Sequence, residues 1–199
     1  MTVFHLLRHA QTSWNQLRRI QGQRDIPLAP EGELQAETWK HALQKTPFTG
    51  ALCSDLQRAV RTAQILIEGR DIPLERDHRL REQDWGVWVG KTIDEIRGEE
   101  GFEVRRQEQA AWDFRPRGGE SRKEVLERTR NALFAAAQRH PHGKILVISH
   151  LGVIKCLLND LLKHSFLPED GDPVKKYGLH SIVCKDGSLH LRNLNQRLP

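Results

Sequence analysis

Short apolar runs that alternate with helix-like segments constrain the fold of this 199-residue chain more than any other feature. Residues 144–149 form the clearest run, and its continuous apolar character is typical of a strand buried on both faces of a parallel sheet. Further strands are predicted at residues 3–7, 51–53 and 72–76, and a C-terminal hairpin at residues 179–191. The order predicts the α/β class, as a three-layer α/β/α, doubly wound and mostly parallel sheet.

The helices between these strands are predicted from their start signals. A Ser or Thr followed three residues later by Gln or Glu is a capping box, and it occurs at Ser54–Gln57, Thr92–Glu95 and Ser121–Glu124. We expect Ser54 to cap a helix through about residue 68, and Ser121 to cap one through about residue 139. Further helices are predicted at residues 13–20, 31–44 and 151–162. The segment 101–116 is polar, and if it forms regular structure we expect a helix.

Basic side chains follow several of the predicted strands. Arg8 and His9 come after the first strand, His150 after the run 144–149, and Arg58 in the first turn of the helix after the second strand. Because ligands collect at the carboxyl ends of parallel strands, we expect these side chains to converge. Arginine binds phosphate oxygens in bidentate fashion and an imidazole can attack phosphorus, so they predict a phosphoryl-transfer site. On residues 6–12 alone, a solvated basic pair remains an equal alternative.

The loop at residues 80–90 is unusual because it carries Trp85 and Trp88 together with two glycines. A solvated loop has little reason to hold paired tryptophans, so we expect it to fold over the pocket. Trp112 and Phe114 are expected at the pocket rim.

The formal net charge of +5 admits nucleic acid or small phosphorylated molecules as partners. The basic residues are scattered among acidic ones, which favours a small phosphorylated substrate and argues against nucleic acid. No apolar run reaches the roughly 18 residues of a membrane helix, and no signal peptide is recognisable. Three cysteines in apolar contexts fit a reduced, cytoplasmic protein. Both a monomer and a homodimer are compatible with the sequence.

No metal or cofactor is expected. His5 and His9 have a spacing seen in zinc sites, but they lie on a strand that ends in a loop, and no glutamate follows His5. His140 and His142 flank a proline in a turn and are expected to be solvated.

The chain shows no internal repeat, low-complexity tract or linker, so one domain over residues 1–199 is predicted. Five separated blocks of it resemble the histidine phosphatase (phosphoglycerate mutase-like) superfamily. The blocks are Leu7–Thr12 with Asn15 and Gln21–Gly22, Ser54–Ala59, Leu80–Glu82 with Gly86 and Trp88, Gly118–Ser121, and Ser149–His150. The match covers nearly the whole chain. The match departs from the family pattern at Ala10 and Leu151, where glycine is common. Leu151 would place a bulky side chain beside the implied phosphate site.

The resemblance implies a role for each matching residue. His9 would be the phosphorylated nucleophile and Glu82 the general acid, and the implied catalytic set is Arg8, His9, Arg58, Glu82 and His150. The implied substrate-binding set is Arg8, Asn15, Gln21, Gly22, Arg58, His150 and Leu151.

The chemistry sets further expectations for two of these residues. Neighbouring cations should lower the pKa of His9, and its second ring nitrogen should donate to a fixed acceptor such as a backbone carbonyl. Glu82 must carry a proton to act as an acid, which burial under Trp85 or Trp88 would favour.

Phosphatases and phosphoglycerate mutases share this implied machinery. The mutases that the chain resembles carry a long insertion after the acid-bearing loop, whereas here Gly90 and Gly118 are joined by a short polar segment. Hydrolysis is therefore favoured, and the stretch Trp112–Ser121 resembles the α-ribazole phosphatase and broad-specificity phosphatase branch. The implied substrates include α-ribazole phosphate, sugar phosphates and phosphoserine. The alternatives are a cofactor-dependent phosphoglycerate mutase and an inactive relative that binds phosphorylated ligands or nucleic acid.

Overall fold

A six-stranded mixed sheet forms the middle layer of the computed structural model, which describes residues 1–199. The strands are β1 (Thr2–Arg8), β2 (Gly50–Cys53), β3 (Leu74–Arg76), β4 (Lys144–Ser149), β5 (Leu179–Lys185) and β6 (Ser188–Gln196). Their order is β3-β2-β4-β1-β5-β6. The first four strands in this order run parallel to one another. Strand β5 runs antiparallel to β1, and β6 runs antiparallel to β5.

Helices cover both faces of the sheet. They are α1 (Ser13–Gln16), α2 (Pro30–Leu43), α3 (Gln57–Ile67), α4 (Ile93–Gln109), α5 (Arg122–Arg139) and α6 (Leu151–Leu162). Helices α2 and α3 pack on one face against Leu7 and Ile148, and α5 and α6 pack on the other against Leu6 and Val147. Because neighbouring strand residues point to opposite faces, these adjacent pairs fill two cores. The predicted three-layer, mostly parallel architecture is confirmed.

Two of the three predicted capping boxes are confirmed. In both α4 and α5 the N-cap hydroxyl accepts from the N3 backbone nitrogen, and the N3 carboxylate accepts from the N-cap nitrogen. Helix α4 is longer than expected and extends to Gln109, with a kink at Glu100, where φ is −132° and ψ is 35°. None of the helices combines the length and apolar character needed to cross a bilayer.

The predicted cap at Ser54 is wrong. Helix α3 begins at Gln57, and the hydroxyl of Ser54 accepts from the nitrogen of Leu56 at 3.3 Å, before the helix starts. Asp25, from a distant loop, caps the helix instead, because its Oδ1 accepts from the nitrogen of Gln57 at 2.7 Å. A tertiary contact has replaced the local one, so the start of the helix moves by two to three residues.

Three other boundaries differ from prediction. Helix α1 ends at Gln16, and Arg18 adopts a left-handed conformation with φ at 54°, which breaks the helix predicted through residue 20. Strand β3 is shorter and begins at Leu74, whereas β6 extends to Gln196.

Candidate active site

The carboxyl ends of β1 and β4 bring His9 and His150 together. The two strands pair up to the level of Arg8 and Ser149, and the nitrogen of His9 continues the pairing by donating to the carbonyl of Ser149 at 2.9 Å. The ring centroids of the two histidines are 5.1 Å apart. Both side chains are buried. The expected convergence of residues that follow different strands is therefore present.

One ring nitrogen of His9 is held by the backbone. Its Nδ1 lies 2.7 Å from the carbonyl of Ala10, which can only accept, so Nδ1 carries the proton and Nε2 has a free lone pair. Ala10 is itself fixed, because its nitrogen donates to the hydroxyl of Thr62 at 3.0 Å. The expected backbone acceptor is present, and the methyl group of Ala10 is accommodated in the core.

Two buried guanidinium groups lie beside His9 without a carboxylate partner. Arg58 is fully buried and donates to the carbonyls of Arg24 and Gly22 at 2.7 and 2.8 Å, and Arg8 is only 8% exposed. The Nε atoms of both arginines have no partner. Burying a charge without a counter-charge is costly, so this arrangement favours an anion in the site.

Burial and the two arginines keep both histidines neutral at pH 7. Burial, reinforced by the charges of Arg8 and Arg58, holds the pKa of His9 well below the usual value. Burial and then the charge of Arg58 do the same to the pKa of His150. Burial lowers the pKa of Arg58 to about 10, so it remains charged. The expected effect of the cations on His9 is present, with desolvation as the larger cause.

Glu82 faces the same cavity, which has a volume of about 340 Å³ and is also lined by Arg8, His9 and Arg58. Its Oε1 accepts from the nitrogen of Gln83 at 2.8 Å, and its Oε2 accepts from the nitrogen of Gly152 at 3.2 Å. Gly152 lies in the first turn of α6, directly after Leu151. A carboxyl group that lines the same cavity as the imidazole is thus held by two backbone contacts.

The remaining predicted substrate-binding residues also line this cavity, with one exception. The lining includes Asn15, Gln21, Gly22 and Leu151. Asn15 uses its Oδ1 to accept from the nitrogen of Thr12, and the Oε1 of Gln21 is buried without a partner. His150 is the exception, because it is fully buried beside His9 and is not among the lining residues, and both of its ring nitrogens lack a partner.

The two loop tryptophans lie side by side, with ring centroids 6.3 Å apart, but only Trp85 lines the cavity. Trp85 lines the cavity as expected, but Trp88 packs in a small core with Ile96 and Phe114 and does not cover Glu82. The expectation that Phe114 lies at the rim is therefore wrong, because Phe114 is buried. Trp112 packs edge-on against Phe166, with ring centroids 4.7 Å apart.

An ion pair that the sequence did not reveal supports the acid-bearing loop. Arg128 in α5 pairs with Glu120 at 2.9 Å and donates to the carbonyls of Arg79 and Glu82 at 2.7 and 3.1 Å. Glu120 also accepts from the nitrogen of Asp84 at 2.9 Å. These contacts join residues up to 49 positions apart, so no local pattern marks them.

No group of three or more His, Cys, Asp and Glu side chains is placed to hold a metal ion. His5 packs edge-on against Phe48, with ring centroids 5.4 Å apart, and contributes to the strand rather than to the cavity.

The sequence and the fold are similar to those of known proteins. The sequence model described as "Histidine phosphatase superfamily (branch 1)" matches residues 4–197. A probable phosphoglycerate mutase, GpmB of Cronobacter sakazakii, is 37% identical over 162 residues, which are 81% of this chain and 75% of that protein.

Two solved structures resemble the whole chain. YhfR of Bacillus stearothermophilus superimposes with a TM-score of 0.88 and 29% identity, covering 99% of this chain and 98% of that one. A mycobacterial glucosyl-3-phosphoglycerate phosphatase, solved with VO3, has a TM-score of 0.85 and 30% identity, covering 98% of this chain and 99% of that one.

Proposed function

The chain belongs to the histidine phosphatase superfamily, and we propose that it hydrolyses phosphomonoesters through a phosphohistidine on His9. The observation that carries the proposal is the pair of buried guanidinium groups, Arg8 and Arg58, which lack a carboxylate and flank a neutral imidazole. A positively charged site beside a nucleophilic nitrogen fits a phosphoryl group, which guanidinium groups bind and which an imidazole can attack.

In the first step, Nε2 of His9 attacks phosphorus and the bond from phosphorus to the alcohol oxygen breaks. Arg8 and Arg58 hold the non-bridging oxygens and stabilise the charge that spreads over them in the transition state. Protonated Glu82 transfers its proton to the departing alkoxide. His150 would complete the phosphate contacts once an anion is bound.

In the second step, water attacks the phosphohistidine. Glu82, now a carboxylate, accepts the proton from water as the oxygen adds to phosphorus and the bond to Nε2 breaks. Inorganic phosphate leaves and His9 returns to its neutral form. The scheme assigns no step to a metal, so we expect turnover to persist in the presence of a chelator.

The proposed substrates are small phosphorylated metabolites such as α-ribazole phosphate, sugar phosphates or phosphoserine. The name of the mycobacterial neighbour, a glucosyl-3-phosphoglycerate phosphatase, supports hydrolysis of a substituted sugar or glycerate ester. A small cavity opening to the surface beside Trp85 suits such molecules and not a long polymer.

Phosphoglycerate mutase activity is the second candidate, because curated relatives that are 36–37% identical carry that name as probable. Between Gly90 and Gly118 the chain forms only α4 and one short turn of 3₁₀ helix, which supports hydrolysis. Incubation with 3-phosphoglycerate, with and without 2,3-bisphosphoglycerate, separates the two. A mutase produces 2-phosphoglycerate, whereas a phosphatase releases inorganic phosphate.

The proposal is tested by trapping the intermediate. A radiolabelled phosphate ester, stopped in alkaline detergent, should leave phosphate on the protein that is stable in base and lost in acid. His9→Ala should abolish both labelling and turnover, while His41→Ala, which changes an exposed histidine on α2, should retain them. Labelling that survives in His9→Ala would overturn the assignment. Salt-dependent oligonucleotide binding without turnover would favour the inactive, nucleic-acid-binding alternative.

A further inference from the structure

A second cavity, of about 550 Å³, adjoins the candidate active site. The two cavities share Trp85, Gly152 and Lys155 as walls. Gly152 is also the residue whose nitrogen holds Glu82. Under the proposed function, Glu82 protonates the departing oxygen, so the alcohol portion of the substrate lies on this side of the phosphate. The second cavity therefore lies where the leaving group must extend.

Three cationic side chains line this second cavity, and only two of them pair with a carboxylate. Arg97 pairs with Glu108 at 3.3 Å. Lys155 pairs with Asp172 at 2.7 Å. Arg122 also lines the cavity but forms no ion pair with a carboxylate. Because the other two cations are neutralised within the wall, Arg122 supplies the uncompensated positive charge.

The guanidinium of Arg122 is held in place by its surroundings. Its Cζ lies 4.3 Å from the ring centroids of both Phe114 and Phe166. One terminal nitrogen, Nη1, donates to the carbonyl of Ala111 at 2.8 Å. A guanidinium fixed in this way loses little conformational freedom when it binds a planar or tetrahedral anion.

Helix stability does not explain a cation at this position. Arg122 is the first residue of α5, where the helix dipole favours an anion and disfavours a positive charge. Ser121 and Glu124 already cap this end of the helix. Helix capping therefore does not account for the charge at this position.

We propose that Arg122 binds a second anionic group, a carboxylate or a phosphate, on the alcohol portion of the substrate. The protein then prefers phosphomonoesters of anionic alcohols, such as hydroxy acids or phosphorylated sugars, over esters of neutral alcohols. This inference rests on the proposed phosphatase function, because it assigns the cavity to the leaving group of that reaction.

The test uses three series of substrates with two to six carbons. The first contains phosphate esters of ω-hydroxy carboxylic acids, the second contains alkanediol bisphosphates, and the third contains the matching alkyl phosphates. We expect kcat/KM of the wild-type protein for at least one chain length of an anionic series to exceed that of the matching alkyl phosphate by about ten- to hundredfold. The better of the two anionic series identifies the second group.

Two variants then test whether Arg122 causes the preference for anionic esters. Arg122→Gln should bring the ratio of kcat/KM between anionic and alkyl esters close to one. Arg130→Gln is the matched control, since Arg130 also lies in α5 and pairs with Asp160 of α6 but is not part of this cavity. It should keep the wild-type ratio, and thermal unfolding of both variants reports any loss of fold.

The outcomes separate the two proposals. Hydrolysis of alkyl phosphates with no preference for either anionic series in the wild type would overturn the role of Arg122 and leave the phosphatase function standing. A preference that persists in folded Arg122→Gln would also overturn it. A wild-type protein without the preference overturns the role of Arg122 even if Arg122→Gln does not fold. In that case Arg122→Met, which keeps apolar packing against Phe114 and Phe166, replaces it, and a preference that persists in this variant overturns the role. Failure to hydrolyse any ester, including 4-nitrophenyl phosphate, would remove the phosphatase function and this inference with it.

Discussion

Glycine at position 152 determines how closely Glu82 can approach helix α6. An added Cβ at Gly152 would overlap Oε1 of Glu82, so the carboxyl group would have to move. The neighbouring Leu151, which replaces a small residue common in the family, lines the cavity and packs against the core without obstructing that approach. The position at which a small residue is required beside Glu82 is therefore 152, and not 151, where the chain departs from the family pattern.

Gly152→Ala should lower kcat for alkyl phosphates by about a hundredfold, because displacing a catalytic group by about 1 Å has effects of this size. The loss should be smaller for 4-nitrophenyl phosphate, whose leaving group departs without a proton, and Glu82→Gln should show the same pattern. Steady-state kinetics with both esters measures the loss of kcat for each. Gly98→Ala is the control, since no atom lies within 4 Å of its added Cβ. An equal loss for the two esters would argue against displacement of the acid.

At the scale of elements, α5 does more than cover one face of the sheet. Arg128 on this helix holds the start of the acid-bearing loop, residues 80–90, by donating to the carbonyls of Arg79 and Glu82. Its partner Glu120 fixes the backbone of Asp84. This ion pair, in which the side chains are 17% and 24% exposed, therefore supports the loop that carries the acid.

Arg128→Met should lower the free energy of unfolding by about 2–3 kcal/mol, because it leaves Glu120 without its partner and two carbonyls without donors. It should also lower kcat for alkyl phosphates, because Glu82 loses its support. Arg139→Met removes a more exposed pair with Glu75 on the same helix and should cost less than about 1 kcal/mol. Denaturant unfolding and steady-state kinetics measure both variants. Equal costs for the two variants would contradict the proposed role of Arg128.

At the scale of the whole molecule, three buried histidines and the half-buried His5 couple stability to pH. Burial holds the pKa of His9 and His150 well below the usual value and lowers the pKa of His5 and His180 to about 4. Between about pH 4 and 6.5 the unfolded chain binds protons on these side chains that the folded chain does not. The free energy of unfolding therefore rises with pH across this window and falls on acidification.

We expect the protein to be less stable at pH 5 than at pH 7 in a phosphate-free buffer. His9 and His150 should each contribute about 2 kcal/mol to the difference, since each remains neutral in the folded state and is protonated in the unfolded one. Denaturant unfolding at a series of pH values measures this slope. The double variant His9→Gln/His150→Gln should have a shallower slope. Stability that is unchanged or higher at pH 5 would contradict the linkage.

Several predictions from composition concern the molecule as a whole and stay predictions. They are the single domain over residues 1–199, the cytoplasmic location, the monomeric or homodimeric state and the absence of nucleic-acid partners. Gel filtration and the oligonucleotide binding assay described above test the last two.

The sequence alone determined the layers, the strands and most helix starts, because periodicity and capping act between residues that are close in the chain. It also placed Arg8, His9 and His150 at one sheet edge, since each directly follows a strand. The role of Glu82 came from the family resemblance, because no strand end marks it.

Only the tertiary structure decided which distant side chains support that edge. Asp25 replaced the predicted cap of α3, and Arg128 reached back to the acid-bearing loop. Arg122 came to lie between two phenylalanine rings beside a second cavity. Each contact joins segments far apart in the chain, so it forms only when the tertiary structure brings those segments together.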